Sequence, residues 1–245
     1  MLTVLSNWRG YLELTKPGVQ ALLFVSCVSG MLIGADFNPP ITVLVFGLIG
    51  ISFLAASSAV INHFFDQKID AKMNRTSSRP LVIGDISSQH AIIFSILLYV
   101  SGSLMLLNFT NFLTWLLTTL TFIFYGFIYT RYLKFMTSQN IVIGGLAGAM
   151  PPLLGWTAVT NTIEPNALLL VLIIMVWTPP HFWALAVYRV DDYADAEVFV
   201  KLTHSRVTLR LSRTKLYMPH QKLFLLTLPP WVEDTKAYVS QNQSA

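Results

Sequence analysis

Residues 41–70 read ITVLVFGLIGISFLAASSAVINHFFDQKID, and this stretch decides the class of fold. Its first part, Ile41–Ile61, contains no Asp, Glu, Lys or Arg. A helix that crosses a bilayer needs about 20 consecutive, mostly apolar residues. The stretch therefore predicts a transmembrane helix, and the polar residues from Asn62 onward mark the end at which it leaves the hydrocarbon.

Further apolar segments of similar length surround this one. They are Val19–Ala35, Ala91–Leu107, Phe112–Thr130, Ile141–Val159 and Ala167–Val187. The whole chain of 245 residues is 54% hydrophobic and 11% charged, against about 25% charged in an ordinary soluble domain. Backbone groups within lipid must pair inside their own segment, which favours helices. We therefore predict an all-α, polytopic transmembrane helical bundle with six spans, and this excludes a soluble globular protein.

Basic residues are confined to every second connection between the spans. The segments 36–40, 108–111 and 161–165 contain no Lys or Arg. The alternate segments contain Lys16, Lys68, Arg79, Arg131, Lys134 and Arg189, among others. Because cytoplasmic loops collect Lys and Arg, we expect a cytoplasmic N-terminus. The net charge of +4 is explained by this topology, and we expect no nucleic-acid partner.

An acidic stripe follows the span at 41–61. Asn62, Asp66 and Asp70 are spaced four apart, so on a helix they lie on one face over about two turns. Two carboxylates on adjacent turns repel each other, whereas a divalent cation bound between them makes the arrangement favourable. Carboxylate and amide oxygens are the ligands that Mg²⁺ prefers, often together with substrate phosphates. The spacing gives His63 and Lys68 no role.

A basic cluster lies directly downstream of the stripe, at Lys72, Arg75 and Arg79. The guanidinium group of arginine is a planar fork that matches phosphate oxygens. The order of an acidic stripe and then a basic cluster is typical of a metal and diphosphate site. The competing interpretation is a solvated helix end, where charged residues are common.

A second acidic cluster follows the sixth span. Asp191 and Asp195 are again four apart, with Asp192 and Arg189 beside them, and the topology places them on the same side as the first stripe. The two stripes can close on one substrate with one metal ion each or with a shared pair.

Proline pairs lie within the last two predicted spans, at 151–152 and 179–180. Pro179-Pro180 predicts a kink or an interruption within the membrane, with the ionisable His181 just beyond it. His181 is either functional or simply hydrogen-bonded to a neighbouring helix. The small residues at 144–149, GGLAGA, predict close helix packing, and the prolines at 151 and 152 predict another kink. Positive charge in the segment 125–140 either binds phosphate or reflects topology alone.

Four stretches of the chain resemble the UbiA superfamily of membrane-embedded prenyltransferases, and within it the branch that farnesylates haem. The superfamily's signature is NxxxDxxxD and a second Asp-rich loop. The stretches are LTKPGV at Leu14–Val19, INHFFDQKIDAKMNRTSSRPL at Ile61–Leu81, NIVIGGLAGAMPPLLGW at Asn140–Trp156, and WTPPHFWALAVYRVDDYADA at Trp177–Ala196.

The resemblance implies transfer of a farnesyl group from farnesyl diphosphate to a vinyl group of haem B, with water added, in a bacterial inner membrane and with the site facing the cytoplasm. Haem A synthase or the terminal-oxidase assembly machinery are implied partners. It implies Mg²⁺ held by Asn62, Asp66 and Asp70, and a second ion on Asp191 and Asp192. The implied substrate-binding residues are Arg75, Arg79, Lys134 and Arg189 for the diphosphate, His181 and Trp183 for the haem or prenyl pocket, and Tyr193.

The resemblance by these motifs ends at Ala196. The residues that follow are basic and polar, and their one apolar run, Leu223–Val232, is too short to cross a bilayer. We expect a prenyltransferase domain over 1–196 that lacks about three of the superfamily's nine helices. We expect a divergent polar and basic tail over 197–245, explained either by a shifted reading frame or by a divergent terminus. The activity of a bundle shortened in this way is in question.

Two other functions stay open at this point. The first is a prenyltransferase with another acceptor, such as 4-hydroxybenzoate in quinone synthesis. The second is a transporter or haem-binding scaffold whose acidic loops bind cations without turnover. Dependence of product formation on Mg²⁺ distinguishes the enzyme from the scaffold.

Overall fold

The computed structural model describes residues 7–72, 76–133, 136 and 140–188, with the backbone alone at 140, 141, 179, 180 and 182–188. The chain divides into two units, Met1–Thr208 and Leu209–Ala245, and every described residue belongs to the first. The second acidic cluster and the tail at 197–245 lie outside the described residues.

The described part of the chain is helical and contains no β-strand. The helices are α1 (Trp8–Leu14), α2 (Pro17–Gly34), α3 (Leu48–Asp70), α4 (Pro80–Ile83), α5 (Ser88–Phe109), α6 (Phe112–Ile123), α7 (Asn140–Ala149), α8 (Pro151–Thr160) and α9 (Pro165–Tyr188). A π-helical turn, Val43–Gly47, leads into α3, and a longer π-helical segment, Phe124–Leu133, continues α6.

Five helical stretches are long and apolar enough to cross a bilayer. They are Pro17–Gly34, Val43–Asp70, Ser88–Phe109, Phe112–Leu133 and Val142–Thr160. Each corresponds to a predicted span, and the sixth predicted span falls within α9, whose described apolar part is Pro165–Thr178. The prediction of a polytopic helical membrane bundle is confirmed.

Helix α3 lies at the centre of the packing, where it contacts α5 along its length and also meets α2, α6 and the π-helical segment. The core beside it is formed by Cys27, Met31, Leu54, Leu106 and Leu154. Cys27 is a buried free thiol within this core. Because of this central position, the apolar part of α3 packs against other apolar helices, and most of its polar end at 62–70 is buried or half-buried within the bundle.

Glycines allow α2 and α8 to approach at backbone distance. A Cβ atom on Gly30 would lie 2.0 Å from the carbonyl oxygen of Pro152, and one on Gly155 would lie 2.1 Å from that of Cys27. Membrane helices associate closely where small residues face each other. The GGLAGA segment behaves in the same way, because a Cβ atom on Gly144 would meet the ring of Tyr129 at 2.3 Å.

The two proline pairs have different effects. Helix α7 ends at Ala149 and α8 begins at Pro151, so the helix is broken at the pair Pro151-Pro152, where the sequence predicts a kink. Helix α9 is helical from Pro165 through Pro179 and Pro180 to Tyr188, so of the kink or interruption predicted there the interruption is wrong, and the kink stays a prediction. Membrane helices tolerate proline because neighbouring groups satisfy the backbone atoms that it frees.

Candidate active site

The acidic stripe lies at the end of α3 and is buried. Asn62, Asp66 and Asp70 are 4%, 5% and 4% exposed, and all three belong to one continuous helix that ends at Asp70. The sequence had placed these side chains on one face of a helix, and the structure agrees. Carboxylates are almost never this buried unless they have partners, so the partners define the site.

Asn62 connects the stripe to other helices. Its Nδ2 group donates to Asp66 Oδ2 at 3.0 Å and to Thr130 Oγ1 at 3.1 Å. Its Oδ1 atom accepts from the ammonium group of Lys16 at 2.5 Å. Both donor hydrogens and the acceptor of this amide are engaged. The orientation of Asn62, and through it that of the Asp66 carboxylate, is therefore fixed.

Lys16 reaches Asn62 from an unusual backbone conformation. It lies between α1 and α2, with φ of 55° and ψ of 64°, in the left-handed region that few residues other than glycine adopt. Its ammonium group also donates to the hydroxyl of Tyr125 at 3.3 Å. Backbone strain of this kind persists where surrounding contacts hold it and is concentrated at functional sites.

Arg79 neutralises the far end of the stripe. Its guanidinium group donates to Asp70 Oδ2 at 2.5 Å, and the two side chains are 20% and 6% exposed. Thr76 Oγ1 donates to the backbone carbonyl of Asp70 at 3.0 Å, which holds the start of the following loop against α3. Guanidinium has five N–H donors, so this ion pair leaves others for a phosphate group.

Gln67, which follows Asp66 on α3, also bonds to this loop. Its Nε2 group donates to the carbonyl of Leu81 at 2.6 Å, and its Oε1 accepts from Ser88 Oγ at 3.3 Å. The loop that carries Arg79 is thus bonded to α3 on both sides of the arginine.

The oxygen donors of the stripe fit a hard divalent cation such as Mg²⁺. They are two buried carboxylates and one amide oxygen, and the amide oxygen and one carboxylate oxygen also accept from cationic side chains. Within the described ranges, no group of three or more His, Cys, Asp or Glu side chains is arranged to hold a metal. The reason is that the stripe contributes only two such residues, and Asp191, the other predicted ligand, lies outside those ranges.

The remaining predicted site residues divide into two groups. Those outside the described residues are Arg75, Lys134, Arg189, Asp191, Asp192 and Tyr193. His181 lies on α9 with its ring stacked on that of Trp177, at 4.4 Å between centroids and 18° between planes. Trp183 belongs to the described backbone of α9 only. Their roles stay predictions.

Sequence reasoning missed the partners that hold Asn62. Lys16 belongs to the quoted LTKPGV motif, but nothing in that motif predicts its bond to Asn62. Thr130 and Tyr125 lie in the π-helical segment, where the helical repeat of 3.6 residues does not apply. No sequence signal pointed to Thr130.

A separate apolar groove of about 340 Å³ lies between α3, α5 and α6. From α3 it is lined by Ser57, Ile61, Phe64 and Phe65. At about 100° per residue around a helix, these positions fall on the side of α3 opposite Asp66. The groove is therefore distinct from the acidic stripe.

The chain matches a known protein family over most of its length. The model of the UbiA prenyltransferase family matches residues 23–232. The matched region extends beyond residue 196, and the division of the chain at that residue stays a prediction.

Curated relatives match most of the chain. Protoheme IX farnesyltransferase 2 of Pseudoalteromonas atlantica is 49% identical over 227 residues, which cover 92% of this chain and 73% of the relative. The protoheme IX farnesyltransferase of Hahella chejuensis is 48% identical and covers 94% of this chain and 76% of its own length. That of Legionella pneumophila strain Lens is 45% identical, with coverage of 95% and 79%.

Solved structures share the fold. A UbiA homolog from Archaeoglobus fulgidus, bound to DMAPP and Mg²⁺, matches with a TM-score of 0.64 and 20% identity, over 77% of this chain and 66% of its own length. A structure of digeranylgeranylglyceryl phosphate synthase matches with a TM-score of 0.62 and 24% identity, over 80% of this chain and 65% of its own.

Proposed function

This chain belongs to the UbiA prenyltransferase family, and on that premise we propose that it transfers the farnesyl group of farnesyl diphosphate to a vinyl group of haem B, giving haem O. Relatives that are named protoheme IX farnesyltransferase and are 45–49% identical over more than nine tenths of the chain favour haem as the acceptor over an aromatic acid.

The observation that carries the proposal is the pairing of cations with the buried stripe on α3. Lys16 bonds to Asn62 at one end and Arg79 bonds to Asp70 at the other. Carboxylates suit a divalent cation, and the ammonium and guanidinium groups suit phosphate oxygens. One buried surface thus offers both kinds of partner that a metal diphosphate needs.

The three residues of the stripe and the two cationic side chains that pair with it each have a role in this proposal. Asp66 and Asp70 hold the cation, and Asn62 orients Asp66 by donating to its Oδ2 atom. Lys16 and Arg79 bind the diphosphate oxygens as negative charge grows on the leaving group. Bound Mg²⁺ supplies further neutralisation of that charge. Because the groups are positioned before the reaction, little reorganisation accompanies bond breaking.

The proposed reaction breaks the bond between C1 of the farnesyl group and the diphosphate oxygen, and both electrons leave with the diphosphate. C1 then bonds to the terminal carbon of the vinyl group. The neighbouring vinyl carbon takes a hydroxyl group from water, and one proton is released. Water must be excluded until the carbon–carbon bond has formed, because it would otherwise capture the farnesyl cation.

The second half of the site is proposed on sequence alone. Asp191 and Asp192 would hold a second cation, and Arg75, Lys134, Arg189 and Tyr193 would add contacts to the diphosphate. His181 and Trp183 would line the haem or prenyl pocket. The proposed location is the bacterial inner membrane with this site toward the cytoplasm, supported by the basic residues at this end of α3. Delivery of haem O to haem A synthase or the terminal-oxidase assembly machinery completes the proposal.

The test is product formation by the full chain in lipid nanodiscs. Incubation with farnesyl diphosphate, haem B and Mg²⁺ should give a more apolar haem on reverse-phase chromatography, with a mass gain of one farnesyl group and one hydroxyl group. The product should disappear with EDTA and in Asp66→Asn. The matched control is Asp85→Asn, which removes an exposed carboxylate near the same end of the bundle.

Three outcomes separate the alternatives. Product that persists with EDTA and in Asp66→Asn contradicts the role of the metal and the stripe. Prenylation of 4-hydroxybenzoate in place of haem contradicts the acceptor. Binding of haem or Mg²⁺ without any turnover would indicate a scaffold.

A further inference from the structure

His63 is a buried histidine whose ring has no hydrogen-bond partner. Its side chain is 3% exposed, and neither Nδ1 nor Nε2 has a partner in the structure. A neutral imidazole has one donor and one acceptor, and buried polar groups without partners are uncommon in folded proteins. A ring in this state points to a ligand that completes its bonding.

The position of His63 places its ring beside the acidic stripe. At about 100° per residue, it lies about 60° around α3 from Asp66 and about 20° from Asp70. The groove on the far side of α3 is lined by other positions, so His63 does not face it.

Two cationic side chains are close enough to His63 for their charges to act on its ring. The charges of Lys16 and Arg79 both act on His63, and these are the side chains that pair with the two ends of the stripe. An anion that enters between Lys16 and Arg79 would therefore lie beside the imidazole. Phosphate oxygens are hydrogen-bond acceptors, which matches the N–H group of the ring, and a water molecule can satisfy the other nitrogen.

We propose that His63 is a further substrate-binding residue of this site, and that its ring N–H donates a hydrogen bond to an oxygen of the diphosphate. The inference rests on the proposed prenyl diphosphate chemistry and adds a residue to which the four-residue spacing assigns no role.

The proposal predicts opposite effects on stability and on binding. In His63→Met an apolar side chain replaces the unpaired ring, so the ligand-free protein should melt at a higher temperature than the wild type. The same change should weaken the binding of inorganic diphosphate with Mg²⁺ by about tenfold or more, the loss expected for one hydrogen bond to a charged group. A histidine with only a structural role would not give this combination.

The experiment measures melting and diphosphate affinity on the full chain in phosphatidylcholine nanodiscs. His63→Gln, which keeps a donor and an acceptor, should bind diphosphate more tightly than His63→Met, and it serves as the second variant if His63→Met does not fold. His90→Met is the matched control, because His90 is an exposed histidine at the start of α5. It should bind diphosphate as the wild type does.

Unchanged diphosphate affinity in His63→Met would overturn the proposal, as would a lower melting temperature without ligand. An effect that appears only with phosphatidylglycerol in the nanodiscs would assign the ring to a lipid head group and would also overturn it. Formation of haem O is scored separately. A wild type that makes no haem O but binds diphosphate in a His63-dependent way refutes the acceptor and supports the role of His63.

Discussion

The ammonium group of Lys16 donates a hydrogen bond to Oδ1 of Asn62 over 2.5 Å, and the two residues are 46 positions apart in the chain. The contact joins the start of α2 to the polar end of α3. Asn62 in turn donates to Asp66, so the lysine, the amide and the carboxylate form one chain of bonds. A substitution of Lys16 is therefore expected to disturb the position of the Asp66 carboxylate.

Lys16→Met should reduce the catalytic efficiency of farnesyl transfer by about ten- to a hundredfold, because a hydrogen bond to a charged group contributes about 1.5–3 kcal/mol. Steady-state kinetics with varied farnesyl diphosphate measures the effect. Lys68→Met is the control, because it removes an exposed lysine from the last turn of α3, the helix that carries Asn62. Equal losses in the two variants would mean that general positive charge, and not the bond to Asn62, is responsible.

The ion pair between Arg79 and Asp70 should contribute to stability as well as to activity. In Arg79→Gln the carboxylate of Asp70 stays buried without its cation, which costs about 3 kcal/mol when one partner of a buried pair is removed. The double variant Arg79→Gln with Asp70→Asn should recover much of that stability and remain inactive. Thermal unfolding in nanodiscs measures the stability, and the haem assay measures the activity. Recovery of activity in the double variant would contradict the role of the stripe.

Thr130 offers a milder test of the same network. Thr130→Val keeps the shape of the side chain and removes the hydroxyl that accepts from Asn62 at 3.1 Å. We expect a loss of catalytic efficiency of about threefold to tenfold, corresponding to one neutral hydrogen bond of about 0.5–1.5 kcal/mol. Thr118→Val is the control, since Thr118 is buried in the same span and donates to the backbone of its own helix at Thr114. A larger effect at Thr118 would refute the assignment.

The sequence predicted the parts of this molecule that depend on local pattern. The long apolar runs predicted the spans, because within a bilayer the backbone groups of such a run must pair with one another, as they do in a helix. The four-residue spacing of Asn62, Asp66 and Asp70 gave the stripe, because α3 continues without a break to Asp70.

The contacts that complete the site depend on tertiary geometry. Lys16 reaches Asn62 through a left-handed backbone conformation and the approach of α2 to α3, and neither has a local signature in the sequence. Thr130 meets Asn62 from within a π-helical segment whose repeat differs from 3.6 residues. The burial of His63 follows from the elements packed around α3. Spacing along one helix could not predict any of these.

The orientation of the bundle can be tested with single cysteines. In a Cys27→Ser background, Asp85→Cys and Asn38→Cys place exposed thiols at opposite ends of α3. If basic residues mark the cytoplasmic side, a membrane-impermeant maleimide should label position 38 in spheroplasts and position 85 only after permeabilisation. The reverse pattern would put the acidic stripe on the outer side.

The close approach of α2 and α8 gives a prediction about folding alone. Gly30→Ala would place a Cβ atom 2.0 Å from the carbonyl oxygen of Pro152, and neither backbone can move without separating the two helices. We expect a loss of about 1–3 kcal/mol or more, as for other overpacked sites. Gly18→Ala is the control in the same helix, because a Cβ atom there meets nothing within 4 Å. Since alanine favours the helix over glycine by about 0.5–1 kcal/mol, Gly18→Ala should melt at or slightly above the wild-type temperature. Equal melting temperatures for the two variants would show that α2 and α8 do not meet at Gly30.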